Sequence, residues 1–331
     1  MLINYFQKRQ GFVKLKGKFS KMEDIHGGGP QGGFFGLLEY LSQSNDNCET
    51  IDPKDKFKFV DDLTALEIVN LLSIGMSNFN AKMSVPNDIP SHNGYISKEN
   101  LKTQSYLNDI SDWTKQRKMK LNTDKSKIMI FNFTHNHQFT TRVNIDDVKL
   151  EVIDNTKLLG TYITSDLKWD LNTKNLIKKA KARMQLLRKL STFGASTKDL
   201  VHIYVIFVRS VLEASSSVWH KSLTKENESD LERVQQSAFR LILGNAYISY
   251  ENAQNVLQMQ TLLERRETLF TNFTLKSLNV KQMKHIFKLK HKEHHMETRN
   301  RKETYQISIT NTERLRQSAG IQMQILANKM I

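Results

Sequence analysis

Two adjacent carboxylates, Asp61 and Asp62, close the short apolar run Phe57-Lys58-Phe59-Val60. Upstream lies the glycine-rich stretch Gly27-Gly28-Gly29-Pro30-Gln31-Gly32-Gly33. Neighbouring aspartates at a strand-turn boundary cannot both be buried without a counter-charge, because a buried, unpaired carboxylate is costly. A divalent cation is a natural partner. Mg²⁺ prefers one or two carboxylates plus phosphate oxygens, the arrangement used in phosphoryl transfer. The same dipeptide is equally at home in a solvated surface turn. The glycines also have two readings: without a Cβ, backbone amides can approach a phosphate or a base, or the segment is a tight turn with a structural proline.

A second set of residues suits polyanion binding. Between Lys174 and Lys189 the chain carries Lys174, Lys178, Lys179, Lys181, Arg183, Arg188 and Lys189 with no acid, opposite an apolar stripe at Ile177, Ala180, Met184 and Leu187. A helix with that face can track a phosphate backbone, a contact that weakens as salt rises; a solvated basic face is the alternative. Trp113, Trp169 and Trp219 could stack on bases, but their apolar surroundings favour core packing. His285, His291, His294 and His295 fit no common zinc spacing, and the single cysteine, Cys48, excludes an internal disulfide or a cysteine-rich zinc site within one chain.

The elements that must position these residues follow from pattern. The 331 residues, 39% hydrophobic and 25% charged, are enough for a folded protein of two domains. A formal net charge of +15 favours nucleic acid or an anionic surface as partner. No apolar run approaches the ~20 residues that span a bilayer, so the membrane reading weakens, and an intracellular, reducing compartment (nucleus or cytoplasm) fits. Gly11 to Leu15 reads as a strand followed by a Lys-Gly turn, and a polar loop over 42–56 precedes the strand that carries Asp61 and Asp62. A helix is expected within 101–119, a strand at Ile128–Phe131 and hairpin-like alternation over 142–163. Beyond Asp170 nearly every segment has helical spacing, including a long apolar helix over Lys198–Trp219 and a helix opening with acids at Glu226. From Lys281 onwards 11 Lys/Arg face 4 Glu with weak periodicity, which reads as a basic, loosely ordered tail.

The order of motifs adds a resemblance. Gly28-Gly29-Pro30-Gln31-Gly32-Gly33-Phe34-Phe35-Gly36, Phe59-Val60-Asp61-Asp62, Trp113 followed by Asn122-Thr123-Asp124-Lys125-Ser126, and Lys157-Leu158-Leu159-Gly160 together resemble the reverse transcriptase of non-long-terminal-repeat retrotransposons, closest to the jockey-like elements. Leu231-Glu232-Arg233-Val234-Gln235-Gln236 and Leu262-Leu263-Glu264-Arg265-Arg266 resemble that group's C-terminal helical region. The match runs over roughly residues 1–280. It implies an α+β fold: a partial right-hand polymerase palm, antiparallel sheet plus helices, over 1–170, an α-helical thumb over 171–280 and the basic tail over 281–331. It also implies two Mg²⁺ ions held at Asp61 and Asp62, Phe59 beneath the primer end, and Gly28, Pro30, Gln31 and Gly32 against template and incoming nucleotide. Lys125 would stand near the triphosphate, and Lys174, Lys178, Lys179, Lys181 and Arg183 on the nucleic-acid backbone. The implied partners are an RNA template, a DNA primer and deoxynucleotide triphosphates.

Two departures qualify that expectation. The family's first catalytic aspartate has no counterpart here, since Glu23 and Asp24 sit in the strand leading into the glycine loop, and the apolar helix after Gly36 breaks early at Leu41. Two-metal chemistry needs a bridging carboxylate, so the resemblance implies an N-terminally truncated, inactive polymerase fragment. The alternative is a non-catalytic nucleic-acid-binding protein that uses the basic helical half, and a third reading is a product with no stable fold.

Overall fold

The computed structural model describes residues 10–24, 56–59, 62–67, 94–97, 102–133, 137–141, 143–289, 304–310 and 312–330. They form two units: Met1–Ile128 with Thr134–Glu151, and Met129–Phe133 with Val152–Ile331.

The first unit is built from small hairpins and one helix. Lys14–Leu15 pairs antiparallel with Lys18–Phe19 across the turn Lys16-Gly17, and both turn residues have positive φ (49° and 82°), the geometry of a type I′ hairpin. Lys56–Phe59 pairs with Asp62–Ala65, so that Phe59 faces Asp62. Alternation along the second of these strands turns Leu63 and Ala65 to one side, where they pack with Tyr106, Leu107 and Leu121 against buried Ile110 of helix α1, Lys102–Gln116. Thr103 opens α1 by donating both its N–H and its Oγ1 hydroxyl to Glu67 Oε2, each at 2.9 Å. The other end is tied to the hairpin of Asn144–Ile145 and Val148–Lys149. There Asp146 accepts from Lys115 Nζ (2.6 Å) and Ser111 Oγ (2.7 Å), and these bonds hold its carboxyl below the ordinary range.

The second unit opens with the hairpin Asn155–Leu158 and Thr161–Thr164 and continues as helices: α2, Asp170–Thr192; α3, Thr197–Ile203; a π-helical turn, Tyr204–Arg209; α4, Ser210–Leu212; α5, Ser216–Trp219; α6, Lys225–Leu243; α7, Tyr250–Leu257; and α8, Leu262–Leu278. The core lies where α2 (Leu176, Ala180, Met184, Leu187) meets α6 (Leu231, Val234, Ala238, Phe239) and the side chains of Tyr204, Val208 and Trp219. Trp219 is fully buried, with Nε1 donating to Ala214 O at 3.0 Å, a packing role. One polar chain crosses this core. Tyr204 Oη donates to Gln235 Oε1 (2.8 Å), Gln235 Nε2 donates to Tyr250 Oη (2.7 Å) and to Gln260 O (2.9 Å), and Tyr250 Oη donates to Glu232. Burial pushes both tyrosine hydroxyls up, so they stay protonated donors.

The long helix expected over 198–219 is broken twice. Tyr204-Val205-Ile206-Phe207-Val208, crowded with β-branched and aromatic side chains that fit an α-helix poorly, widens into the π turn. The chain then stops at Leu212 and re-enters at Ser216 through Ser215, whose φ of 53° is left-handed. Residues 281–331, expected as a loose tail, instead carry α9, Glu313–Arg316, and α10, Ala319–Met330. Met323 and Ala327 of α10 pack with Phe270 and Phe287 in a second small core. The Asn328 side chain spans the backbone of Tyr305, accepting from its N–H (2.6 Å) and donating to its carbonyl (2.9 Å). Among the described residues no single helix is long and apolar enough to cross a membrane.

Candidate nucleic-acid interface

Helix α2 carries the charge. Its first turn is anchored from two sides: Asn172 Oδ1 accepts from Tyr162 N–H (3.2 Å), and Asp170 Oδ1 accepts from Asn227 Nδ2 (2.6 Å). At about 100° per residue, Lys174, Lys178, Lys181 and Arg188 fall on one stripe that points away from the buried Leu176, Ala180, Met184 and Leu187. All four are exposed, as is neighbouring Lys189. Among the described residues no carboxylate pairs with any of them; Arg188 donates only to Gln185 Oε1 at 2.9 Å. The result is a row of solvated cations on a helix that cannot rotate, because its opposite face is core.

Lys179 and Arg183 belong elsewhere. They lie one turn apart on the flank of α2 and, with Leu159, Gly160, Thr161, Leu176, Ser210, Val211, Ala214 and Ser215, line a cavity of about 330 Å³. Arg183 is half-buried and fixed: its Nη1 donates to Phe207 O at 2.7 Å, and the guanidinium stands over the Phe207 ring at 4.7 Å. The sequence grouped all five cations as one backbone-tracking face. The fold separates Lys174, Lys178 and Lys181 from Lys179 and Arg183, and adds Phe207, Ser210 and Ser215, whose part was invisible without the broken helix.

Of the other expected site residues, Asp62 and Lys125 belong to the first unit. Asp62 is an exposed residue at the start of its strand, opposite Phe59. Asp61, Gly28, Pro30, Gln31 and Gly32 lie outside the described residues. Lys125 is exposed in a tight turn, its backbone N–H donating to Asn122 Oδ1 at 3.1 Å. Among the described residues no group of three or more His, Cys, Asp or Glu side chains is placed to hold a metal ion.

Comparison with known proteins bears on the same segment. A family model described as alkylated DNA repair protein alkB homolog 8, N-terminal, matches residues 169–213. Those residues comprise α2, α3, the π turn and α4, a minority of the chain. No curated protein and no solved structure matches the chain. The family match corrects the reverse-transcriptase expectation: the family it names is not a reverse transcriptase family. The assignment as a polymerase fragment and the association with a mobile element fall with it. The physical reason is the weakness of each motif alone. Gly-Pro, Asp-Asp and Leu-Gly segments all occur in turns of unrelated folds, so only their order carried the resemblance.

Proposed function

We propose that this chain is a nucleic-acid-binding protein that grips the sugar-phosphate backbone through the outward face of α2. The observation that carries the reading is the unpaired stripe Lys174, Lys178, Lys181 and Arg188 on a helix locked by its buried side. A rigid row of cations loses little on meeting a polyanion and gains by releasing condensed counterions. The net charge of +15 steers any such partner toward the protein. The family match over the same helix, to a family named for alkylated DNA repair, supports the choice of partner class. Contacts of this kind position a strand without reading its sequence.

The test is fluorescence anisotropy of labelled oligonucleotides across a salt series. Wild-type affinity should fall steeply and linearly in log–log form, and K174Q/K178Q/K181Q should flatten the slope by about two to three, at roughly 0.7–0.9 per lost phosphate contact. Affinity that ignores salt, or a triple variant with an unchanged slope, removes the proposal.

A further inference from the structure

The cavity beside the stripe differs from it in kind. Its wall is made of three pieces: the hairpin turn Leu159-Gly160 with Thr161, the flank of α2 with Lys179 and Arg183, and Ser210, Val211, Ala214 and Ser215 from the corner that follows the π turn. Each piece is unusual. The turn puts a leucine at φ 46° ahead of Gly160 at 90°, a place where asparagine is favoured and leucine is strained. The Leu159 side chain is nonetheless 55% exposed, so no core packing offsets that strain. Ser215 is also left-handed at φ 53°. The π turn ends directly at Ser210, and its widened backbone is where Arg183 is docked through Phe207. Strained backbone and π turns concentrate where a fold holds a ligand.

Charge and chemistry narrow the occupant. Lys179 and Arg183, one helical turn apart on α2, line one half-open space with no carboxylate in its lining. The hydroxyls of Ser215 and Thr161 can donate further, that of Ser210 being given to Ile206 O at 2.6 Å, and Leu159, Leu176 and Val211 supply apolar wall. A phosphodiester inside a strand carries one negative charge and needs a groove open at both ends. A phosphate monoester carries close to two at neutral pH and can end in a pocket, with its sugar and base leaning on the apolar wall. Resting on the nucleic-acid reading above, we infer that this cavity seats the terminal phosphate monoester of a nucleic-acid strand, with Lys179 and Arg183 as its two cationic partners.

The experiment uses the full chain and four probes: an oligonucleotide with a 5′-terminal phosphate, the same oligonucleotide with a 3′-terminal phosphate, the same with hydroxyl ends, and a free nucleoside monophosphate. Wild type should bind one of the phosphate-ended forms about tenfold more tightly than the hydroxyl-ended one, the size expected for charge-assisted hydrogen bonds. That ratio should collapse in K179Q, which changes an exposed side chain, and in R183K, which keeps charge but loses the fork. It should also shrink below about pH 6, where the monoester dianion takes up a proton and keeps a single negative charge. K174Q/K178Q/K181Q should weaken all three oligonucleotides equally and leave the ratio intact. Equal affinity for the two kinds of end in wild type, or a ratio that survives K179Q, overturns the inference while leaving the backbone grip standing. If no oligonucleotide binds but the monophosphate does so in a Lys179-dependent way, the pocket chemistry stands and the strand is ruled out as its source. If nothing binds, both readings fail.

Discussion

Arg266 is fully buried, yet only its Nε has a partner, His220 Nδ1 at 3.4 Å, while Nη1 and Nη2 have none among the described residues. Burial lowers its pKa, opposed by the more distant Glu232, Glu228 and Glu213. A buried, half-satisfied charge is replaceable. R266M is therefore expected to unfold at the same denaturant concentration as wild type or to gain about 1 kcal/mol; a loss of several kcal/mol in a urea titration would show that the guanidinium is needed. His220, itself buried, sits between this guanidinium and Glu267, whose Oε1 is 3.2 Å from Nε2 but out of line for a hydrogen bond. Lys221 claims Glu267 at 2.5 Å. Burial, reinforced by Arg266, pushes the His220 pKa below 6.5 against the pull of Glu267. The unfolded chain thus binds this proton more readily than the native one, so the stability that neutral His220 contributes is full above about pH 6.5 and lost as the pH falls through the lowered native value. Denaturation midpoints measured from pH 7.5 downward should decline over that window, and H220Q should decline less.

At the scale of elements, the helices of the second unit are closed by their own sequence. Ser196, Thr224, Ser249 and Thr261 each accept a backbone N–H three residues on. Thr261 and Glu264 complete a reciprocal capping box at α8, with Glu264 N donating to Thr261 Oγ1 at 3.0 Å and Thr261 N donating to Glu264 Oε2 at 3.1 Å. T261A should cost about 1 kcal/mol with an unchanged m-value, and an unaltered melting temperature would mean that α8 is held by packing alone. Caps of this kind are local in origin: at Ser196 and Thr261 a hydroxyl is followed three residues later by an acid, Asp199 and Glu264. The breaks at 204–209 and 213–215 are not. An apolar run of that length reads as one helix until a particular residue, here Ser215, is forced left-handed by where α5 must go to bury Trp219.

For the molecule as a whole, the second unit contains the main core, the polar chain through Gln235 and the entire cationic stripe. A protein comprising residues 152–331 should unfold in one cooperative transition and keep the salt-sensitive binding of the full chain; broad, non-cooperative melting in calorimetry would show that it is not a folding unit. The sequence by itself determined the net charge, the helical character beyond residue 170, the cap residues and the amphipathic division of α2, because each depends on residue type and on spacing within a few positions. Only the tertiary structure decided that Lys179 and Arg183 leave the stripe for a cavity, that Leu159-Gly160 is a hairpin turn facing them, and that residues 319–330 pack instead of trailing as a tail. Those outcomes depend on contacts between residues far apart in the chain, such as Arg314 Nη1 donating to Asp166 O at 2.7 Å across 148 positions. Local periodicity holds no information about such contacts.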